Sequence, residues 1–216
     1  MEEKNVTAEI ILILDKSGSM SGTESDTAGG FNSLIEKQKS ELTNAWVTTW
    51  LFNGQTELLY DRVPIREVKP MTAADIIVGG NTALYDAVGN AIKRTESIQK
   101  HLRKEDVPDF TLVAIMTDGY ENASRQYNNS EIRELIEKKK QDGWDFLFMA
   151  AGIDAKEEAD DLAIPQYLQS EIYSASESFD FVGACIASAC EDVRARRERE
   201  EAQRNVAMDC DLKEKE

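Results

Sequence analysis

The chain has 216 residues, 41% of them hydrophobic and 31% charged, with a formal net charge of −16. That length suits one large domain with a substantial core, and the composition is that of a soluble globular protein. So anionic a surface argues against nucleic acid or an anionic membrane as a partner, because phosphates repel it, and it suits a hard cation or a basic protein surface.

The first nine residues are polar, and the first apolar run, 10–14, is too short for a signal core or a membrane span. Three cysteines occur (Cys185, Cys190 and Cys210) without a CxxC spacing. They are expected to be reduced thiols, which points to the cytoplasm.

Residues 8–14 (AEIILIL) are continuously aliphatic and predict a fully buried strand. Phe31, Leu34 and Ile35 recur at helical spacing and predict a helix over 26–42. Residues 45–52 predict a strand, Asn53-Gly54 a hairpin turn, and 56–60 an antiparallel partner ended by Val63-Pro64. A Gly79-Gly80 loop leads into a helix over 84–98. Residues 110–116 (FTLVAIM) and 144–150 (WDFLFMA) predict two more buried strands, separated by an amphipathic helix over 131–141. A short helix over 155–163, an edge strand at 171–173 and a last helix over 178–196 complete the series.

Aliphatic strands alternating with helices predict an α/β fold, a doubly wound and mostly parallel sheet covered on both faces. The chain divides into an extension (1–7), one domain (8–197) and a charged tail (198–216) expected to prolong the last helix and fray. In such folds ligands sit beyond the carboxyl ends of the strands, where strand order reverses.

Three segments fall at that edge. The first strand ends in Asp15-Lys16-Ser17-Gly18-Ser19, a later one runs into Thr117-Asp118-Gly119, and Gly79-Gly80-Asn81-Thr82 opens a helix. Asp15, Ser17, Ser19, Thr82 and Asp118 offer two carboxylates and three hydroxyls, all hard oxygen donors suited to Mg²⁺, with Mn²⁺ or Ca²⁺ also accepted. Neutral hydroxyls leave the ion electrophilic and able to take a carboxylate from elsewhere. Each piece alone has a plainer explanation, an Asx turn, a helix N-cap or a simple turn. Their conjunction at one edge favours a metal.

The Asp-x-Ser-x-Ser segment, with Thr82 and Asp118, resembles the metal-ion-dependent adhesion site of von Willebrand factor A (vWA) domains, complete at all five positions. The resemblance spans roughly 8–196 and is similar to a bacterial, cytoplasmic branch through GGFNSLIEKQK, GGNTALYDAVG and TDGYENASRQY. It implies a six-stranded sheet with one antiparallel edge strand. It also implies Mg²⁺ held by Ser17, Ser19 and sometimes Thr82, with Asp15 and Asp118 acting directly or through water. Asp or Glu of a partner protein is implied to complete the shell.

Asp86, Glu121 and Asn122 are candidates for the rim or for support behind the ligands, with a helix-dipole role the plainer reading for Asp86 and capping or solvent exposure for the other two. Tyr120 and Tyr127 flank the same loop. His101, the one histidine, lies in a polar stretch with nothing to place it near Ser17 or Ser19, so a Ser–His–Asp triad is not expected. Trp46, Trp50 and Trp144 are expected in the core. A non-enzymatic protein-binding module is therefore the first expectation. The alternatives are a metal-dependent phosphatase or phosphotransferase using Asp15 as nucleophile, and a scaffold whose metal is purely structural.

Overall fold

The computed structural model of the chain describes residues 6–42, 44–170 and 174–213. Its strands are β1 (Thr7–Asp15), β2 (Asn44–Phe52), β3 (Thr56–Pro64), β4 (Phe110–Thr117), β5 (Trp144–Ala151) and β6 (Gln166–Ser170). Its α-helices are α1 (Glu24–Glu41), α2 (Leu84–Gln99), α3 (Asn129–Gln141), α4 (Ala155–Asp161) and α5 (Ala175–Lys213).

The strands form one sheet in the order β3-β2-β1-β4-β5-β6. All neighbours are parallel except β2 and β3, which form an antiparallel hairpin at one edge. The aliphatic runs explain this burial on both faces. Along β1, Ile10, Leu12 and Leu14 pack against α1 and α5, while Ile11 and Ile13 pack against α2 and α3. Side chains alternate across a strand, so a strand covered on both sides must be apolar at every position.

The chain leaves β1 toward β2 on one side, and β4 is followed by β5 on the other. The carboxyl ends of β1 and β4 therefore flank the point where the winding reverses.

The elements differ from expectation mainly at the C-terminal end. The second edge strand is Gln166–Ser170, whereas the expected 171–173 lies outside the described residues. The last helix begins at Ala175, slightly before the expected 178, and continues to Lys213 through the tail expected to prolong it. Among the residues whose side chains are described, Val193 is its last buried one. Trp50 and Trp144 are in the core, but Trp46 is only partly buried and lies under the Arg62 guanidinium, 4.4 Å from its ring centroid. Arg62 reaches over β2 to bond Glu9, a fully buried carboxylate of β1, at 2.9 Å.

Candidate metal centre

Asp15 closes β1 and Thr117 closes β4. Asp15 is almost fully buried, and both of its oxygens are occupied: Oδ1 accepts the Ser17 amide at 2.6 Å, and Oδ2 accepts the Thr117 hydroxyl at 2.5 Å. The first bond bends the chain straight after the strand. Ser17 and Ser19 then lie on the same side of the turn, with Oγ atoms 3.0 Å apart. Ser19 Oγ donates to Asp118 Oδ1 at 2.5 Å, which links the β1 loop to the β4 loop.

The third loop is clamped from both sides. Gly18 N donates to Gly80 O at 3.0 Å and Gly79 N to Lys16 O at 2.9 Å. Gly79 and Gly80 have φ of 150° and 82°, and the second lies well within the region that a Cβ disfavours. Asn53 in the β2–β3 turn donates from Nδ2 to Gly79 O at 2.7 Å and accepts from Ala83 N at 2.7 Å. Thr82 is thereby fixed at the head of α2. Its amide donates to Asn122 Oδ1 at 2.9 Å, and its carbonyl accepts from the amides of Asn122 and Ala123.

All five expected metal residues come together at the carboxyl edge. A Cβ placed on Gly119 would lie 3.0 Å from Thr82 Oγ1, 3.5 Å from Ser19 Oγ and 3.9 Å from Ser17 Oγ. Three hydroxyls from two loops thus converge on one small space that only a glycine leaves open. Asp15, Ser17 and Thr82 form a buried floor, while Ser19 and Asp118 stand at a more open mouth.

This arrangement suits a divalent cation. Two oxygens on adjacent corners of a magnesium octahedron lie about 2.9 Å apart, close to the 3.0 Å between the serine hydroxyls. Burial pushes the Asp15 carboxyl above its ordinary value, opposed by its bonds to Thr117 and Ser17 and reinforced by Asp118. Burial likewise raises Asp118, against the Ser19 hydrogen bond. The neighbouring cation, Lys16, is turned away and bonded to Glu57 of β3 at 2.5 Å. Two partly desolvated carboxylates thus sit near one another with no side-chain cation between them, the electrostatic setting that a metal relieves. Among the described residues no group of three or more His, Cys, Asp or Glu side chains is placed to hold a metal. The donor set here is instead mainly hydroxyl.

The supporting candidates have specific tasks. Glu121 accepts the Tyr85 amide at the start of α2 and the amides of Ala123 and Ser124, which folds its own loop against that helix. Asp86 accepts the amides of Arg125, Gln126 and Tyr127. Asn122 positions Thr82. Tyr127 packs over Gly89 of α2, and the exposed Tyr120 accepts from the Asp154 amide at 3.3 Å. His101 lies beyond the far end of α2, about 24 Å of helix from the loops that open it. Thr117 and Asn53 are the functional residues that motif spacing did not single out. The one signal for Thr117 is a polar residue ending the otherwise apolar run before Asp118-Gly119.

No protein-family model matches the chain, and neither does any curated protein. Solved structures do resemble it. Proximal thread matrix protein 1 from the mussel byssus superposes with a TM-score of 0.59 at 18% identity, covering 88% of this chain and 50% of that one. A second structure of that protein, with a zinc-occupied metal-ion-dependent adhesion site, aligns with a TM-score of 0.60 over the same shares. The vWF domain of the pilus tip protein Mfa5 from Porphyromonas gingivalis aligns at 0.60 and 8% identity, covering 87% and 97%. The VWA domain of SpRpn10 aligns at 0.58 and 15% identity, covering 80% and 93%. The chain therefore has the vWA fold, and it spans about half the length of the mussel protein. No helix among the described residues is long and apolar enough to cross a membrane.

Proposed function

We propose that this chain is a divalent-metal-dependent protein-binding module. Ser17, Ser19 and Thr82 would hold the metal by their hydroxyls, and Asp15 and Asp118 would hold it directly or through water. The observation that carries this is the convergence of the three hydroxyls around the Gly119 backbone. A resident cation in this setting supplies a Lewis-acidic position open to a carboxylate of a partner protein. Hard oxygen donors favour Mg²⁺, with Mn²⁺ and Ca²⁺ accepted by the same set. The zinc found in the mussel protein's site supports a divalent ion on this fold.

Binding fits these residues better than catalysis by Asp15. Both of its oxygens accept hydrogen bonds and neither is exposed enough to attack a phosphate. Lys16, the cation that would hold such a phosphate, is committed to Glu57. The thiols of Cys185 and Cys190 are free, which supports a reducing compartment, and we place the module in the bacterial cytoplasm.

The test compares proteins captured from host lysate by the full chain in Mg²⁺, by the same chain in EDTA, and by Asp15→Ala in Mg²⁺. A protein retained only by metal-loaded wild type supports metal-bridged recognition. Identical capture by all three would remove the metal from the contact.

A further inference from the structure

We propose that a pocket beside the metal centre, with Arg125 as its cation, receives a second carboxylate from the same partner, so that the module selects a segment with two acidic residues. The proposal rests on the metal-bridged contact above and adds what the partner must carry next to its metal-bound acid.

The pocket holds about 550 Å³ between the β2–β3 turn, the first turn of α2 and the loop after β4, and Gln55, Asp86, Arg125 and Gln126 are among its walls. It adjoins the metal loops. Gly54, in its wall, lies 3.9 Å from the Cβ position of Gly80, whose carbonyl accepts from Gly18. Ala123, also in its wall, donates its amide to the carbonyl of Thr82. A side chain near the metal-bound residue of a partner therefore reaches it.

Among the described residues most arginines of the globular body are committed to acids, but Arg125, like Arg66, is not. Arg62, Arg94, Arg103, Arg133 and Arg197 all pair with acids, whereas the guanidinium of Arg125 forms no ion pair among the described residues. Its backbone is nevertheless held, because its amide donates to Asp86 at 3.0 Å. An exposed cation on a fixed backbone, in a chain of net charge −16, is a defined anchor for an anion.

Asp86 selects among anions. Its carboxylate accepts from three successive amides and lines the pocket. A monoanionic carboxylate pairs with Arg125 through two parallel hydrogen bonds, whereas a phosphate dianion would also meet Asp86. Gln55 and Gln126 line the same opening with neutral side-chain carboxamides.

Calorimetric titration of the full chain in Mg²⁺ tests this with peptides carrying an aspartate, a glycine spacer of graded length, and a terminal Asp, Asn, phosphoserine or Ala. At one spacer length the Asp peptide should bind about tenfold more tightly than the Ala peptide. Arg125→Ala should abolish that advantage while leaving the Ala peptide and Mg²⁺ affinity unchanged. Because the Arg125 side chain is exposed and its amide is kept, an unchanged melting temperature confirms that the variant folds. Equal binding of Asn and Asp, tighter binding of phosphoserine, or an advantage that survives Arg125→Ala would each overturn the proposal. Binding that depends on Mg²⁺ but ignores the second acid would remove the pocket alone. Failure of every peptide to respond to Mg²⁺ would remove the metal bridge itself, and the pocket with it.

Discussion

The Thr117 hydroxyl donates to Asp15 Oδ2 at 2.5 Å, joining the ends of the two central strands beneath the metal loops. Thr117 is completely buried and Asp15 nearly so, and the Thr117 hydroxyl also bonds the Gly119 backbone at 3.1 and 3.2 Å. The bond therefore fixes the direction of the Asp15 carboxylate, and the Ser17 amide fixes its other oxygen.

Thr117→Val removes that donor with little change in volume and leaves a buried carboxylate oxygen unpaired. The expected cost is about 1–3 kcal/mol of stability, read from the urea midpoint, together with weaker Mg²⁺ binding by calorimetry. Thr117→Ser keeps the hydroxyl and should restore much of the metal affinity. Equal metal affinity in the valine and serine variants would show that Asp15 needs no such orientation.

Gly119→Ala places a methyl group 3.0 Å from Thr82 Oγ1, in the space that the three hydroxyls surround. Mg²⁺ binding should fall at least tenfold. The metal-free protein should stay folded, since the intrusion falls on side chains at a surface loop. A variant that melts as wild type in EDTA yet gains no stability on adding Mg²⁺ meets this expectation. Retained stabilisation by Mg²⁺ would mean that the ion sits elsewhere.

Acid stability should depend on Glu96 of α2. Its bond to Lys139 of α3, at 2.9 Å with both side chains largely buried, holds its carboxyl down at about 2. A depressed carboxylate contributes stability that is complete above its ordinary value near 4.5 and is lost as pH falls toward about 2. Glu96→Gln should therefore lower the melting temperature near neutral pH and flatten its decline across that acid window. Parallel curves for the two proteins would show that Glu96 is not responsible.

Ala163 has a φ of 57° just after α4, where its neighbour Ile164 donates back to Ala159 O at 2.7 Å. That conformation disfavours a Cβ and suits glycine at a helix end. Ala163→Gly should stabilise the protein by about 0.5–1 kcal/mol, measured by urea unfolding. A loss of stability would indicate that the methyl group matters more to local packing than the backbone strain it carries.

Local chemistry alone was enough to read β1, β2, β4 and β5, because strands buried on both faces must be aliphatic throughout. It also marked Asp15, Ser17, Ser19, Thr82 and Asp118, since each stands where an apolar run ends or a helix begins. Position along the chain told nothing of partners distant in it. Thr117 and Asp15 are 102 residues apart, and only the parallel pairing of β1 with β4 makes them neighbours. The carboxylates of Asp86 and Glu121 resembled rim acids in the sequence, but three-dimensional folding turned them onto backbone amides of the loop after β4. The unpaired state of the Arg125 guanidinium and the space beside it were likewise decided by how that loop packs on α2 and the β2–β3 turn. Hydrophobic periodicity is a local property and survives in one dimension, whereas hydrogen-bond partners and cavities arise only when segments distant in sequence meet.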